Sequence, residues 1–142
     1  MNIYKLEEIT PNVIQAFQKL IPQLSESCNL PTDKYLKEII NSECTDLFVV
    51  EDKNEIVGTI SLVFNKIPTG NKVWIEDVVV DEAVRGRRVG KELILYAMKY
   101  AKDNNLKSMN LTSSPEREAA NMLYQKLGFF KRKTNVYKIK LS

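Results

Sequence analysis

Apolar positions along this chain change period several times, and each change marks an element. Ile3 to Leu6 reads as a first strand. Thr10-Pro11 then supplies an N-cap followed by proline at the first helical position. Ile14, Phe17 and Ile21 continue at helical spacing, with Leu20 beside them. Thr32 caps a second short helix whose buried side is Leu36, Ile39 and Ile40. Two runs rich in β-branched and aromatic residues follow, Leu47 to Glu51 and Ile56 to Phe64, separated by the turn Asp52-Lys53-Asn54. They predict an antiparallel hairpin. A looser connection, Asn65 to Lys72, holds Pro68 and Gly70 and leads into Val73 to Val80, the strongest strand signal in the chain.

Beyond Arg85 to Gly90 the period becomes helical. Val89, Leu93, Ala97 and Ala101 recur every fourth residue, which predicts a helix to about Asn104. Lys107 to Thr112 is the next expected strand, and a helix between two strands suggests a parallel crossover. Ser114-Pro115 opens a further helix with Ala120, Leu123, Tyr124 and Leu127 as its apolar stripe and Gly128 as its C′ residue. Phe129 to Arg132 and Val136 to Leu141 are expected as two closing strands. The order β-α-α-β-β-β-α-β-α-β-β, with no linker or repeat, describes one mixed α/β domain over residues 1–142.

Composition narrows the chemistry. The chain has 142 residues, 44% hydrophobic and 27% charged, as soluble globular domains do. A net charge of +3 is too slight to imply nucleic acid by itself. The absence of histidine removes every Ser-His-Asp and Cys-His scheme and every zinc site that needs imidazole. Cys28 and Cys44 are too few for a disulfide scaffold or a tetrathiolate site, so no metal is expected. Glu7 and Glu8 precede any apolar run, unlike a signal peptide. The longest uncharged stretches, Ile9 to Gln18 and Ile56 to Asn65, fall short of the roughly 18 apolar residues of a membrane span. The expectation is a cytoplasmic protein, not bound to membrane, with reduced cysteines.

The candidate chemistry lies in Arg85-Gly86-Arg87-Arg88-Val89-Gly90-Lys91, between the best strand and the best helix. A helix N-terminus presents unpaired N–H groups and about half a positive charge, and so attracts anions. Gly86 and Gly90 permit turns closed to other residues and close approach of a ligand. The guanidinium groups of Arg85, Arg87 and Arg88 can grip phosphate oxygens bidentately, and Lys91 adds charge. A pyrophosphate suits such a corner; the plainer reading is a solvated basic turn. Neither a nucleoside-triphosphate P-loop nor a G-x-G-x-x-G fingerprint is present, since Glu92 follows Lys91.

Together with Asn121-Met122-Leu123-Tyr124-Gln125-Lys126-Leu127-Gly128-Phe129, this segment resembles the GNAT superfamily of acyl-CoA-dependent N-acetyltransferases. The family signature is Gln/Arg-x-x-Gly-x-Gly/Ala at a helix start followed by Tyr-x-x-x-Gly-Phe, and the resemblance covers Val73 to Phe129 in detail. Two departures stand out. Arg88 occupies the place of the first signature glycine, and Arg117 the place of an asparagine seven residues before the tyrosine. Asn121, three before Tyr124, is the nearest substitute on that helical side.

The resemblance implies a GNAT-like fold: a central mixed sheet splayed between its fourth and fifth strands, with helices on both faces. Pantetheine of acetyl-CoA, the co-substrate, would lie in the splay and pair with backbone groups of Val78, Val79 and Val80. Arg85, Gly86, Arg87, Arg88, Val89, Gly90 and Lys91 would hold the pyrophosphate, with Asn121 and Tyr124 also on the cofactor. A backbone N–H around Val79 would stabilise the oxyanion, and Tyr124 would protonate the departing thiolate, unless it serves only in packing. The base must be carboxylate, water or tyrosine. Glu76 and Asp77 are adjacent on a strand and point to opposite faces, and both are candidate substrate-binding groups. Glu76 is favoured as catalytic base because it would share its face with Val78 and Val80, unless a bulge reverses the phase.

The expected reaction is direct acetyl transfer in a ternary complex to a primary amine of a small molecule or peptide, without an acyl-enzyme at Cys28 or Cys44. Ile75 to Val80 is similar to the corresponding strand of glucosamine-phosphate N-acetyltransferases, whereas Leu111-Thr112-Ser113-Ser114 is unlike that group. Two rival readings are a non-catalytic CoA-binding module and a nucleic-acid-binding domain using Arg85 to Lys91 and Lys131-Arg132-Lys133; no nucleic-acid partner is expected. Acceptor selectivity would reside in Ser25 to Pro31 and Asn65 to Lys72, and a homodimer could form through Val136 to Leu141.

Overall fold

Residues 1–142 are all described by the computed structural model. The chain divides into two compact units, Met1–Leu111 and Thr112–Ser142. The first holds a four-stranded antiparallel sheet in the order β1-β2-β3-β4, formed by β1 (Asn2–Lys5), β2 (Thr45–Asp52), β3 (Glu55–Ile67) and β4 (Gly70–Val80). Helices α1 (Pro11–Leu24) and α2 (Asp33–Ile40) lie between β1 and β2, and α3 (Val89–Asp103) follows β4. The second unit contains α4 (Glu118–Lys126).

The local signals for α1 and α2 act as expected. Thr10 accepts a hydrogen bond from the Val13 N–H with Pro11 at the first turn, and Thr32 accepts one from the Tyr35 N–H. The β2–β3 turn is made by Lys53 (φ 51°) and Asn54 (φ 66°), the left-handed pair that a tight hairpin requires. Asn65 to Lys72 is not a loose connection: it extends the hairpin, with Ile67 paired to Gly70 across Pro68-Thr69.

Strand alternation sorts the core onto two faces. Leu47 and Val49 of β2 join Leu6, Val13, Phe17 and Leu36 in a buried cluster under α1 and α2. Phe48 faces the other way, meeting Tyr96 and Tyr100 of α3 edge to face at centroid separations of 5.5 and 4.8 Å. Gly58 sits on that second face because a Cβ there would come within 2.8 Å of Val50 and 3.3 Å of Leu93. The Tyr100 hydroxyl donates to Asp46 at 2.6 Å, and that carboxylate also pairs with Lys5.

The mixed α/β class holds, with corrections to its strands. Lys107 to Thr112 makes no ladder; it contributes one parallel bridge, Asn110 to Trp74, in which Ile75 N–H donates to Asn110 O and Asn110 N–H to Val73 O. The pairing ends at Ile75, so the fourth strand and this fifth segment part in the second half of β4. Phe129 to Arg132 and Val136 to Leu141 form no strands either, and Phe130, Val136, Tyr137, Ile139 and Leu141 are exposed. Alternation is necessary for a strand but the ladder comes from a neighbour, which no local pattern supplies. The last helix starts at Glu118, three residues beyond Pro115, after a turn closed from Arg117 N–H to Ser114 O.

Candidate active site

β4 breaks step at Asp77. Ser61 of β3 is opposite Glu76 and Thr59 is opposite Val79, so three steps on β4 span two on β3. The extra residue makes a bulge, and Asp77 absorbs it in the left-handed region at φ 49°. The bulge reverses the side-chain phase. Glu76 shares its face with Val79, on the side of Leu47 and Val49, and not with Val78 and Val80 as simple alternation suggests. Val80 lies on the α3 face, where its Cγ2 is 3.8 Å from the position a Cβ on Gly90 would take. Glu76 and Asp77 are both exposed, yet partial burial, helped by the Asp77 charge, raises the Glu76 carboxyl above its ordinary value.

The main chain alternates as well. Asp81 N–H donates inward to Val57 O at 2.8 Å, so Val79 also points into the sheet, whereas Val78 and Val80 turn their N–H and C=O to the outer edge. No residue of Met1–Leu111 pairs with that edge beyond Ile75. Of the expected trio, Val78 and Val80 therefore present their backbone groups at the edge, and Val79 turns its own toward β3. Val79 itself is buried.

A single 3₁₀ turn, Glu82–Val84, carries β4 into the basic corner. Gly86 has φ +87° with open space around it, and Arg88 is the N-cap of α3 at φ 63°, ψ 19°, with no side-chain capping bond. The first bond closing into α3 runs from Glu92 N–H to Arg88 O, which leaves the N–H groups of Val89, Gly90 and Lys91 without intrahelical partners. Val89 is buried and anchors the helix, while Arg85, Gly86, Arg87 and Arg88 are exposed. One cation of the set is committed elsewhere: the Arg87 guanidinium donates to Asp52 of β2 at 2.8 Å. Arg85, Arg88 and Lys91 thus remain beside an uncapped helix start, an arrangement whose geometry and charge suit an anion.

In the second unit, Tyr124-x-x-x-Gly128-Phe129 is a helix C-cap. Gly128 adopts φ 102°, its N–H donates to Gln125 O, and Phe129 N–H donates to Tyr124 O, the double closure of a Schellman motif. The two end residues also touch, with the Tyr124 and Phe129 rings edge to face at 5.8 Å. Tyr124 is buried, and desolvation raises its phenol above 10 despite the opposing charge of Arg117. Asn121 donates to Ser114 O at 3.0 Å, so its amide nitrogen ties the segment before α4.

The acetyltransferase (GNAT) family model matches residues 13–129. The chain belongs to that family. It is 28% identical over 123 residues to "Probable glucosamine 6-phosphate N-acetyltransferase" of Drosophila melanogaster, covering 81% of this chain and 55% of that protein. The chain spans about half the length of the curated relatives it matches. Among solved structures it superposes at TM-score 0.87 and 16% identity on an aminoglycoside acetyltransferase from an uncultured soil metagenomic sample in complex with sisomicin, covering 99% of this chain and 96% of that one. It superposes at TM-score 0.78 and 20% identity on AAC(6')-Iy in complex with a CoA-S-monomethyl-acetylneamine bisubstrate analogue, covering 99% and 98%. These structural likenesses establish the GNAT fold.

Within that fold the Arg88 departure has a defined geometry: the arginine takes the left-handed conformation that a signature glycine would adopt without strain. Sequence reasoning missed Asp52, Lys19, Gln23 and Asp81. Lys19 pairs with the Asp81 carboxylate at 2.9 Å, and Gln23 donates to it at 3.4 Å. Their separations of 35 residues (Asp52 to Arg87) and 58 residues (Gln23 to Asp81) leave no local signal.

Proposed function

We propose that this GNAT chain is an acetyl-CoA-dependent N-acetyltransferase acting, as one domain over residues 1–142, on a primary amine of a small molecule or peptide. The observation that carries the reading is the pairing, within one unit, of an uncapped basic helix start with an open strand edge at Val78 and Val80. Pyrophosphate would sit on the N–H groups of Val89 to Lys91 with Arg85 and Arg88 about it. Pantetheine amides would pair with Val78 and Val80. The relatives' names, an amino-sugar phosphate enzyme and aminoglycoside enzymes, favour an amine carried on a sugar. The adjacent carboxylates Glu76 and Asp77 suit a cationic acceptor better than a phosphorylated one.

In the transfer, Glu76 or Asp77, directly or through water, accepts the proton of the ammonium, since an amine of pKa ~10.4 is protonated at neutral pH. The amine nitrogen attacks the thioester carbonyl, and the Val78 N–H donates to the oxyanion. The C–S bond then breaks, and the CoA thiolate takes a proton that the family resemblance assigns to Tyr124; the cationic nitrogen gives up its second proton as the amide forms, which restores the neutral phenol. Cys28 and Cys44, both exposed, have no part in this direct route. The raised Glu76 makes a stronger base than an ordinary carboxylate. The protein is read as cytoplasmic, needing neither metal, nucleic acid nor membrane; no helix is long and apolar enough to cross a membrane. The exposed Val136 to Leu141 segment would join a homodimer.

The test is thiol release from acetyl-CoA with amino sugars, aminoglycosides, polyamines, amino acids and peptides. An accepted amine should give turnover that Tyr124→Phe lowers without changing acetyl-CoA affinity. It should also give a kcat/KM that rises with pH through a value raised above that of an ordinary glutamate, a limb that Glu76→Gln removes. CoA binding with no thiol release over the whole panel would favour a non-catalytic CoA-binding module.

A further inference from the structure

The basic corner holds one strained residue, Arg88 at φ 63°, beside Gly86 at φ +87°, which glycine adopts freely, and its main-chain bonds are long. Arg85 N–H to Glu82 O and Arg87 N–H to Val84 O are both 3.4 Å. A backbone of this kind persists only where its surroundings over-determine it. The segment that enters the corner is held from α1, while Asp52 of β2 holds Arg87 within it. Asp81, 5% exposed at the end of β4, receives Lys19 Nζ on Oδ2 at 2.9 Å. Its Oδ1 accepts from Gln23 Nε2 at 3.4 Å and from Ala83 N–H at 3.2 Å. Gln23 closes the ring through its other atom, its Oε1 accepting the Glu82 N–H at 2.9 Å. Lys19 and Gln23 are one helical turn apart, so a single stripe of α1 grips both the carboxylate and the backbone that enters the corner.

We propose that Lys19 and Gln23 are positioning residues for the co-substrate's pyrophosphate: through Asp81 and the Glu82 N–H they set the path of the chain from β4 into the start of α3. Neither side chain belongs to the anion site itself. Their effect is to hold Gly86 to Lys91 in the geometry that aims the open N–H groups at one point. The inference rests on the reading of that corner as a pyrophosphate seat, and its signature is selective. Loss of the grip should weaken ligands that carry the diphosphate and spare ligands that end at pantetheine.

Calorimetric titration of the full chain with CoA and with pantetheine tests this without an acceptor. Gln23→Met and Lys19→Met, the latter removing the cation of a buried carboxylate and so accompanied by a thermal melt that confirms folding, should each weaken CoA roughly fivefold, the effect of one hydrogen bond. Pantetheine affinity should stay unchanged. Unaltered CoA binding in both variants overturns the proposal, as does equal weakening of the two ligands, which is the mark of a general packing role. Arg85→Gln and Arg88→Gln serve as the separate check on the seat. If they too leave the CoA-to-pantetheine ratio unchanged, the pyrophosphate reading itself fails. If they lower it while Gln23→Met and Lys19→Met do not, only the positioning role falls.

Discussion

Two helices of the same unit begin in opposite ways. α1 starts with Thr10 in an extended conformation, its hydroxyl accepting the Val13 N–H, and Pro11 removing a donor that would otherwise be unpaired. α3 starts with Arg88 in the left-handed region and no side-chain cap, its first N–H groups left open and ringed by cations. The first start satisfies its own donors, as a helix does when its ends serve only stability. The second leaves them open and carries the strain of a non-glycine residue, as the proposed pyrophosphate seat would require. Helix starts of equal regularity can therefore be told apart by what their donors meet.

That contrast can be broken most severely at Gly86. A Cβ there would meet nothing within 4 Å, so Gly86→Ala acts through φ alone. It should cost about 1–2 kcal/mol of stability and raise the KM for acetyl-CoA at least tenfold as the corner refolds, both read from melting and initial-rate curves. Thr10→Ala is the counterpart at α1. It should cost about 1 kcal/mol in denaturant unfolding and leave the acetyl-CoA KM unchanged; a shifted KM would mean the two starts are not independent.

Arg88→Gly sharpens the comparison because its two effects have opposite signs. Relief of the left-handed strain, offset by the unfolded-state freedom of glycine, should stabilise the fold by about 0.5 kcal/mol. Loss of a guanidinium should weaken CoA roughly threefold, more at low salt than at high. The smallest effect concerns pH. Lys19, then the Ala83 N–H and Gln23, hold the Asp81 carboxyl below its ordinary value against the opposing effect of burial. A carboxylate lowered by folding adds stability that is complete above its unfolded pKa of ~3.9 and is lost as pH falls through the lower folded value. Asp81→Asn should flatten that part of the acid-unfolding curve and leave its neutral arm parallel to that of the parent.

Local chemistry was legible in the residues themselves. Thr10, Thr32, the Asp52-Lys53-Asn54 turn, the four-residue period of α3 and Gly128 each act within a few positions of chain, so periodicity and capping were enough to place α1, α2, the β2–β3 hairpin, α3 and the end of α4. The basic helix start, and the resemblance that made it a CoA corner, are local in the same sense. Tertiary structure decided what depended on distant partners. Pairing with β3 placed the bulge at Asp77, which moved Glu76 to the other face and turned the Val79 backbone inward. Asp52 took Arg87, and α1 took Asp81. The alternating residues near the chain end formed no strand. Hydrogen bonds within a turn are specified by neighbours in the chain. Register, bulges and ion pairs between elements are specified by neighbours in space, and only the folded chain brings those together.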